Sequence, residues 1–249
     1  MVRCLQCSLV YVGADPSSID FQALYGKSYY TGGHDTVFAD YTGEQVARRA
    51  QARRKLLALR FLAPRVARVA RSGRWLDVGC AAGFFLVEAK HHYEVQGVEL
   101  SAWSSQYART ALGLNVFTGT LQEAQLPTAH FDVITLWDVI EHVSDPVPLL
   151  AEAARVLRPG GHLVLTTGDW GSAYAQRHGA DWHLMTPPWH LTMFSRATLA
   201  RGAARAGLRP VGWHSEGVAG DGPLWRNRPA LLVSRLLGWG DIVRLTLQK

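Results

Sequence analysis

A chain of 249 residues, 48% hydrophobic and 18% charged, is long enough to bury one sizeable α/β core with short additions. It holds no run of about 18 apolar residues, so no membrane-spanning helix is expected, and its three cysteines are too few for a disulfide framework. The formal charge of +6 admits an acidic partner, so where the cations lie matters more than their sum.

Cys4 and Cys7 form a C-x-x-C knuckle ahead of a short strand through Val12, where a secretory signal would carry its apolar stretch. A cytoplasmic protein with reduced thiols is expected. Two thiolates are half of the ligands that a structural zinc takes, and His34 is the only other ligand type nearby. Zinc on Cys4 and Cys7 therefore stands against two free thiols on a frayed terminus. Tyr25, Tyr29, Tyr30, Phe38 and Tyr41 follow among glycines, as a lid over a site or as a linker whose rings pack on the surface. Residues 1–41 are expected to precede a main domain over 42–249.

Thr42 to Arg71 reads as one or two helices broken near Pro64, with Val46, Leu56, Leu57, Phe61 and Leu62 as its apolar side. Arg48, Arg49, Arg53, Arg54, Lys55, Arg60, Arg65, Arg68 and Arg71 crowd the same stretch, and Arg226, Arg228 and Arg235 form a second group. An RNA-directed face is one reading. No aromatic residues interleave the arginines for base stacking, which favours a solvated helix face.

From Arg74 the chain alternates strand and helix. An apolar run ends in Asp77, Gly79 and Gly83 punctuate a tight turn, and Phe84 opens a helix toward His91. Gly79 leaves the backbone open to a ligand, and the helix start presents unpaired N–H groups. A second strand ends in Glu99, suited to accept hydrogen bonds from two ribose hydroxyls. Gly79 and Gly83 are spaced G-x-x-x-G and lack G-x-G-x-x-G, which disfavours an NAD-dependent oxidoreductase. Ser101 caps a helix to Leu112, Asn115 to Thr118 is a weak third strand and Phe131 to Leu136 a fourth. Asp145-Pro146 starts another helix, and Pro159-Gly160-Gly161 turns into strand five. The alternation implies a parallel sheet with helices on both faces.

A long excursion over 168–194 carries Trp170, Tyr174, His178, Trp182, His183, Pro187 and Pro188, and substrate selection is assigned to it. Ser195 caps the next helix, Val211 to Glu216 reads as strand six, Pro223 to Gly238 is amphipathic and basic, and Ile242 to Gln248 is a closing strand.

Asp77 to Gly83, Phe131 to Val143 and Val156 to Leu165 together resemble the motifs of class I S-adenosylmethionine-dependent methyltransferases. The usual middle glycine of the first motif is Ala81 here. The resemblance implies an α/β, Rossmann-like class I methyltransferase sheet with helices on both faces and a C-terminal antiparallel strand. It implies S-adenosyl-L-methionine held by Asp77, Gly79, Cys80, Ala81, Gly83, Phe84, Glu99, Leu100, Thr120, Leu121, Leu136, Trp137, Asp138 and His142, with Thr120 and Leu121 at the adenine. The N-terminal segment resembles a subgroup with a zinc ribbon of two C-x-x-C pairs. Only the second pair is present, so either the start lies upstream or the ribbon is degenerate.

The expected acceptor is a small molecule, most simply a hydroxyl-bearing metabolite or sugar, with nucleic acid disfavoured. A hydroxyl gains from an imidazole base, and His190 and His142 are the candidates, as relatives commonly carry a histidine at both places. Asp138, Glu141 and His142, at i, i+3 and i+4, would share a helix face and could hold magnesium or zinc. Quinone-pathway O-methyltransferases with a similar motif suggest that role. The competing and favoured reading of Asp138 and Glu141 is a helix capping box.

Overall fold

The computed structural model describes residues 1–15, 18–32, 40–62, 66, 73–216 and 240–249. In chain order the elements are β1 (Val2–Arg3), β2 (Val10–Tyr11), α1 (Phe21–Leu24), α2 (Lys27–Thr31), α3 (Gln45–Leu62), β3 (Arg74–Val78) and α4 (Phe84–Ala89). They continue with β4 (Glu94–Glu99), α5 (Ala102–Leu112), β5 (Val116–Thr118), β6 (Phe131–Trp137), α6 (Pro146–Val156) and β7 (Leu157–Gly168). Then come α7 (Ala173–His178), β8 (Thr192–Met193), α8 (Arg196–Arg205), β9 (Arg209–Glu216) and β10 (Ile242–Gln248). The main sheet runs β5-β4-β3-β6-β7-β10-β9, mostly parallel, with β10 antiparallel to β9. The chain divides into a first unit of residues 1–16, 138–151 and 164–248 and a second of 17–137, 152–163 and 249.

The second unit contains β3 to β6. Leu76 pairs with Gln96 on one side and Ile134 on the other, both in parallel register, and Gly97 to Glu99 pair with Val116 to Thr118. Trp75, Leu76, Leu86, Ile134 and Leu136 are all but sealed from solvent, as expected for strands covered on both faces. Each such side chain contributes about 1.5–3 kcal/mol on burial. Gly97 is required by packing, because a Cβ there would lie 2.7 Å from Cys80 Sγ and 2.9 Å from Leu86. Helix α5 starts as expected, with the Ser101 hydroxyl accepting from the Ser104 amide, and stops at Gly113 in the left-handed region.

Helix α3 corrects the sequence reading. Among its described side chains Ala52 and Leu59 are the buried positions, whereas Val46 and Leu57 face outward at 86% and 50% exposure, and the side chains of Phe61 and Leu62 lie outside the description. The side of the helix toward α4 also carries partly exposed cations: Arg49 Nε and Arg53 Nε reach the two oxygens of Glu88 on α4 at 2.5 and 2.7 Å. Those arginines are engaged within the fold. Pro64, Arg65, Arg68, Arg71, His34, Phe38, the basic group at Arg226, Arg228 and Arg235, and the segment from Pro223 to Gly238 lie outside the described residues.

The first unit contains a small antiparallel sheet, β1-β2-β8, in which Val10 pairs with Met193. Val10, Met193, Ala175 and Trp182 form its core. The Ser195 hydroxyl and Thr198 make a reciprocal cap at the start of α8. The closing strand spans the expected residues and pairs antiparallel with β9, from Ile242 opposite Glu216 to Gln248 opposite Arg209.

Candidate functional site

In the second unit the chain leaves β3 through a turn with three residues in the left-handed region, Gly79 at φ 70°, Ala81 at 49° and Gly83 at 82°. Two of the three are glycine, which reaches that region without strain; Ala81 bears a strain of about 1–2 kcal/mol there. The Gly79 and Cys80 amides both donate to the Val98 carbonyl, at 2.8 and 3.2 Å, pinning the turn to β4. Cys80 is buried, which pushes its thiol far above the usual range and leaves it inert.

Two buried carboxylates flank this turn. Asp77 accepts from the Thr135 hydroxyl at 2.6 Å, and burial pushes its pKa up to about 7, with the Thr135 bond and Lys55 opposing. Glu99 accepts from the Ala81 amide with one oxygen and from the Ser101 amide with the other, both at 2.8 Å. Burial raises its pKa in spite of those donors and of the Ser104 and Tyr30 hydroxyls, which also bond it.

Aromatic rings wall the same region. Tyr30 stacks on Trp103 at 5.5 Å between centroids, and Tyr41 stacks on Phe84 at 5.7 Å. The Tyr41 amide donates to the Tyr30 carbonyl at 2.7 Å, within the stretch expected as a lid or as a packed linker. Trp137 packs edge-on to Phe85 at 5.3 Å, carries Lys55 Nζ over its ring at 4.6 Å, and holds a buried indole N–H without a hydrogen-bond partner among the described residues. Leu100 is half-buried and Leu136 buried, while Thr120 is exposed, its amide and hydroxyl both donating to Glu123 at 2.7 and 2.8 Å. Leu121 beside it is buried. Two buried carboxylates, an unmatched indole donor and stacked rings fit a ligand with ribose hydroxyls, a purine and a polar tail.

In the first unit the segment after β6 forms a 3-10 turn over Ile140–His142, not the α-helix on which a shared face and a capping box both depended. Asp138 has φ 56° and accepts from the Thr166 hydroxyl at 2.7 Å, so it caps no helix. The residues brought together are instead Glu141, His142 and His190, whose ligand atoms lie within 4.8 Å of one another. Asp138 is not in that group. One carboxylate and two imidazoles suit a transition ion better than magnesium, which prefers oxygen.

The two imidazoles are 4.7 Å apart between centroids. His142 Nδ1 faces the Trp189 carbonyl at 2.8 Å and His190 Nδ1 the Leu184 carbonyl at 2.6 Å. A carbonyl only accepts, so each ring carries its proton on Nδ1 and leaves Nε2 as the acceptor. Burial lowers both pKa values, with His142 adding to the effect on His190. Glu141 is pushed up to about 7 by burial and by Asp138, and its Oε2 is buried without a partner among the described residues.

Cys4 and Cys7 lie on the β1–β2 hairpin as free, part-buried thiols, and no third metal-ligating side chain gathers with them among the described residues. Sequence reasoning missed Thr135, Lys55 and Trp103. The first sits mid-strand in an apolar run, and the other two face inward from helices whose inward faces are not apolar.

Comparison with known proteins agrees with this architecture. The family model described as a methyltransferase domain matches residues 44–212, more than half of the chain. A protein of Alkalilimnicola ehrlichii named ubiquinone biosynthesis O-methyltransferase is 37% identical over 102 residues, which is 38% of this chain and 41% of that protein. A protein of the same name from Serratia proteamaculans is 34% identical over 99 residues, 37% of this chain and 41% of its own length. The chain thus spans about two fifths of the length of these curated relatives. A SAM-dependent methyltransferase from Thermotoga maritima superposes with a TM-score of 0.58 at 22% identity, over 84% of this chain and 94% of the other. One from Archaeoglobus fulgidus gives 0.58 at 17% identity, over 92% and 100%. At such identities the likeness shows the fold alone.

Proposed function

This chain belongs to the methyltransferase-domain family, and we propose that it moves the methyl group of S-adenosylmethionine onto a hydroxyl of a small metabolite or sugar. The observation that carries the cofactor half is the pair Asp77 and Glu99, buried on either side of a turn whose Gly79 and Gly83 leave the backbone bare. Glu99 accepts the ribose hydroxyls, and the unmatched Trp137 N–H is available to an acceptor atom of the cofactor. Phe84, Leu121 and Leu136 supply apolar wall. Bound there, the sulfonium supplies an activated methyl group, so the protein's remaining work is positioning and proton removal.

The hydroxyl acceptor rests on the printed name of the O-methyltransferase relatives and on the imidazole pair. We assign the proton to His190 Nε2, with His142 beside it, because both rings hold their own protons on the opposite nitrogen. His190→Ala should lower kcat roughly 100-fold while the S-adenosylmethionine Kd stays within error. Loss of both together would make the residue structural.

Incubating the protein with methyl-labelled S-adenosylmethionine and a cell extract, then identifying labelled products by mass spectrometry, tests the whole reading. Label confined to RNA would overturn the small-molecule acceptor. A divalent ion on Glu141, His142 and His190 is the second reading, favoured by the partnerless Glu141 Oε2. Activity that survives chelation supports the base, and activity that requires added zinc or manganese supports the ion.

A further inference from the structure

We propose that Lys55 holds the carboxylate at the amino-acid end of S-adenosylmethionine and makes the site selective for ligands that carry one. This role rests on the cofactor reading above. Helix α3 bears a run of cations, and several of them are engaged within the fold. Arg48 pairs with Glu44 at 2.7 Å, Arg49 and Arg53 share Glu88, and Arg54 faces solvent. Lys55 lies elsewhere on the helix. Ala52, Lys55 and Leu59 follow at i, i+3 and i+7, one stripe of an α-helix, and Ala52 and Leu59 are buried. Lys55 therefore stands half-buried in the inward stripe, where taking a charge out of water is costly unless an anion meets it.

Its surroundings are those of the glycine turn, all within the second unit. Lys55 Nζ stands 4.6 Å from the centroid of the Trp137 ring, within cation–π range, and its charge bears on the Asp77 carboxyl. Trp137 ends β6 and Asp77 lies two residues before Gly79 on β3, and the two strands pair in parallel with Asp77 opposite Thr135. The three residues thus meet at the carboxyl ends of adjacent strands, where an open α/β sheet takes its ligands.

Together they match an amino acid. The tail of S-adenosylmethionine bears an ammonium and a carboxylate on one carbon, so its site must set an acceptor beside donors. Asp77 is the acceptor. Lys55 brings the positive charge, and the Trp137 indole N–H, buried without a partner among the described residues, brings a neutral donor. A carboxylate has two oxygens to take both. Hydrogen bonds between ionised groups are about twice as strong as neutral ones, so loss of the lysine charge should weaken binding at least tenfold.

Calorimetry with two ligands separates this role from a structural one. S-adenosylhomocysteine keeps the whole tail, and its decarboxylated analogue keeps the ammonium alone. Wild-type protein should bind the first at least tenfold more tightly than the second. Lys55→Met retains the apolar stem against Trp137 and removes the charge. It should weaken S-adenosylhomocysteine at least tenfold without weakening the analogue, which erases the preference. Lys55→Arg restores a cation and should recover most of it. Lys55→Gln serves in place of Lys55→Met if that variant does not fold. A preference that survives loss of the charge would overturn the assignment, and so would an equal loss of both ligands, which marks a structural residue. Wild-type protein that binds both ligands equally overturns the role of Lys55 alone, whereas wild-type protein that binds neither overturns the cofactor reading with it.

Discussion

Glu99 is held by the backbone on both sides of its carboxylate. Each oxygen takes one backbone amide, from Ala81 and from Ser101, which fixes the carboxylate and leaves each oxygen a further lone pair. The Tyr30 and Ser104 hydroxyls also bond it, so a ribose bound there as proposed would share the carboxylate with them or displace them. Glu99→Ala should weaken S-adenosylmethionine binding by about 1.5–3 kcal/mol, the scale for hydrogen bonds to a charged group. Calorimetry that finds unchanged affinity would refute the assignment. Asp77 makes a different prediction, about pH. Its pKa rises from 3.8 to about 7 on folding, so its neutral form is favoured in the fold. A raised carboxyl pKa means that stability is full below pH 4 and is lost as pH climbs toward 7. The Asp77→Asn variant lacks that titration while its carbonyl still accepts from Thr135. Its unfolding free energy relative to wild type should therefore rise between pH 4 and 7 and level off above. A difference that stays flat over that range would show that Asp77 titrates normally.

At the scale of elements, what the sequence revealed depended on whether backbone or side chain set the signal. Gly79, Gly83, the Ser101 cap and the closing strand were legible because turn and cap chemistry is local. Helix α3 was misread because Val46 and Leu57 face solvent while Ala52 and Leu59 are buried, and Arg49 and Arg53 look like surface charge until Glu88, at 6% exposure, appears between them. Asp138 and Glu141 misled for the opposite reason, since their spacing matches a capping box but the backbone makes only a 3-10 turn. His190 and His142 were named separately, and their meeting could not be read, because 47 residues that include α6 and β7 lie between them in sequence. The α3–α4 clamp yields its own prediction. Glu88→Gln keeps the shape and removes the charge, leaving two guanidinium groups facing a neutral amide. The arginines are 36% and 60% exposed, so water screens part of the loss, and stability should fall by a small but measurable amount. Urea unfolding measures it, and a midpoint unchanged from wild type would make the clamp incidental.

For the whole molecule, the proposed cofactor should act as a stabiliser that discriminates between nucleotide classes. Alternation of strand and helix made the parallel sheet legible, yet the same alternation suits NAD-binding folds, so the glycine spacing at Gly79 and Gly83 had to separate them. Thermal unfolding tests that separation without knowledge of the acceptor. A ligand that binds only the folded state, at 100 times its Kd, adds about 2.7 kcal/mol. For a chain of this size each kcal/mol moves Tm by about 2–4 °C, so S-adenosylmethionine or its demethylated product should raise Tm by about 5–10 °C. NAD at the same concentration should leave it unmoved, because the turn lacks the second glycine that lets a pyrophosphate approach. In Glu99→Ala the S-adenosylmethionine shift should shrink by about half or more at the same ligand concentration, since a loss of about 1.5–3 kcal/mol in binding is a tenfold weaker Kd or worse. A shift with NAD equal to that with S-adenosylmethionine would overturn the cofactor assignment while leaving the fold untouched.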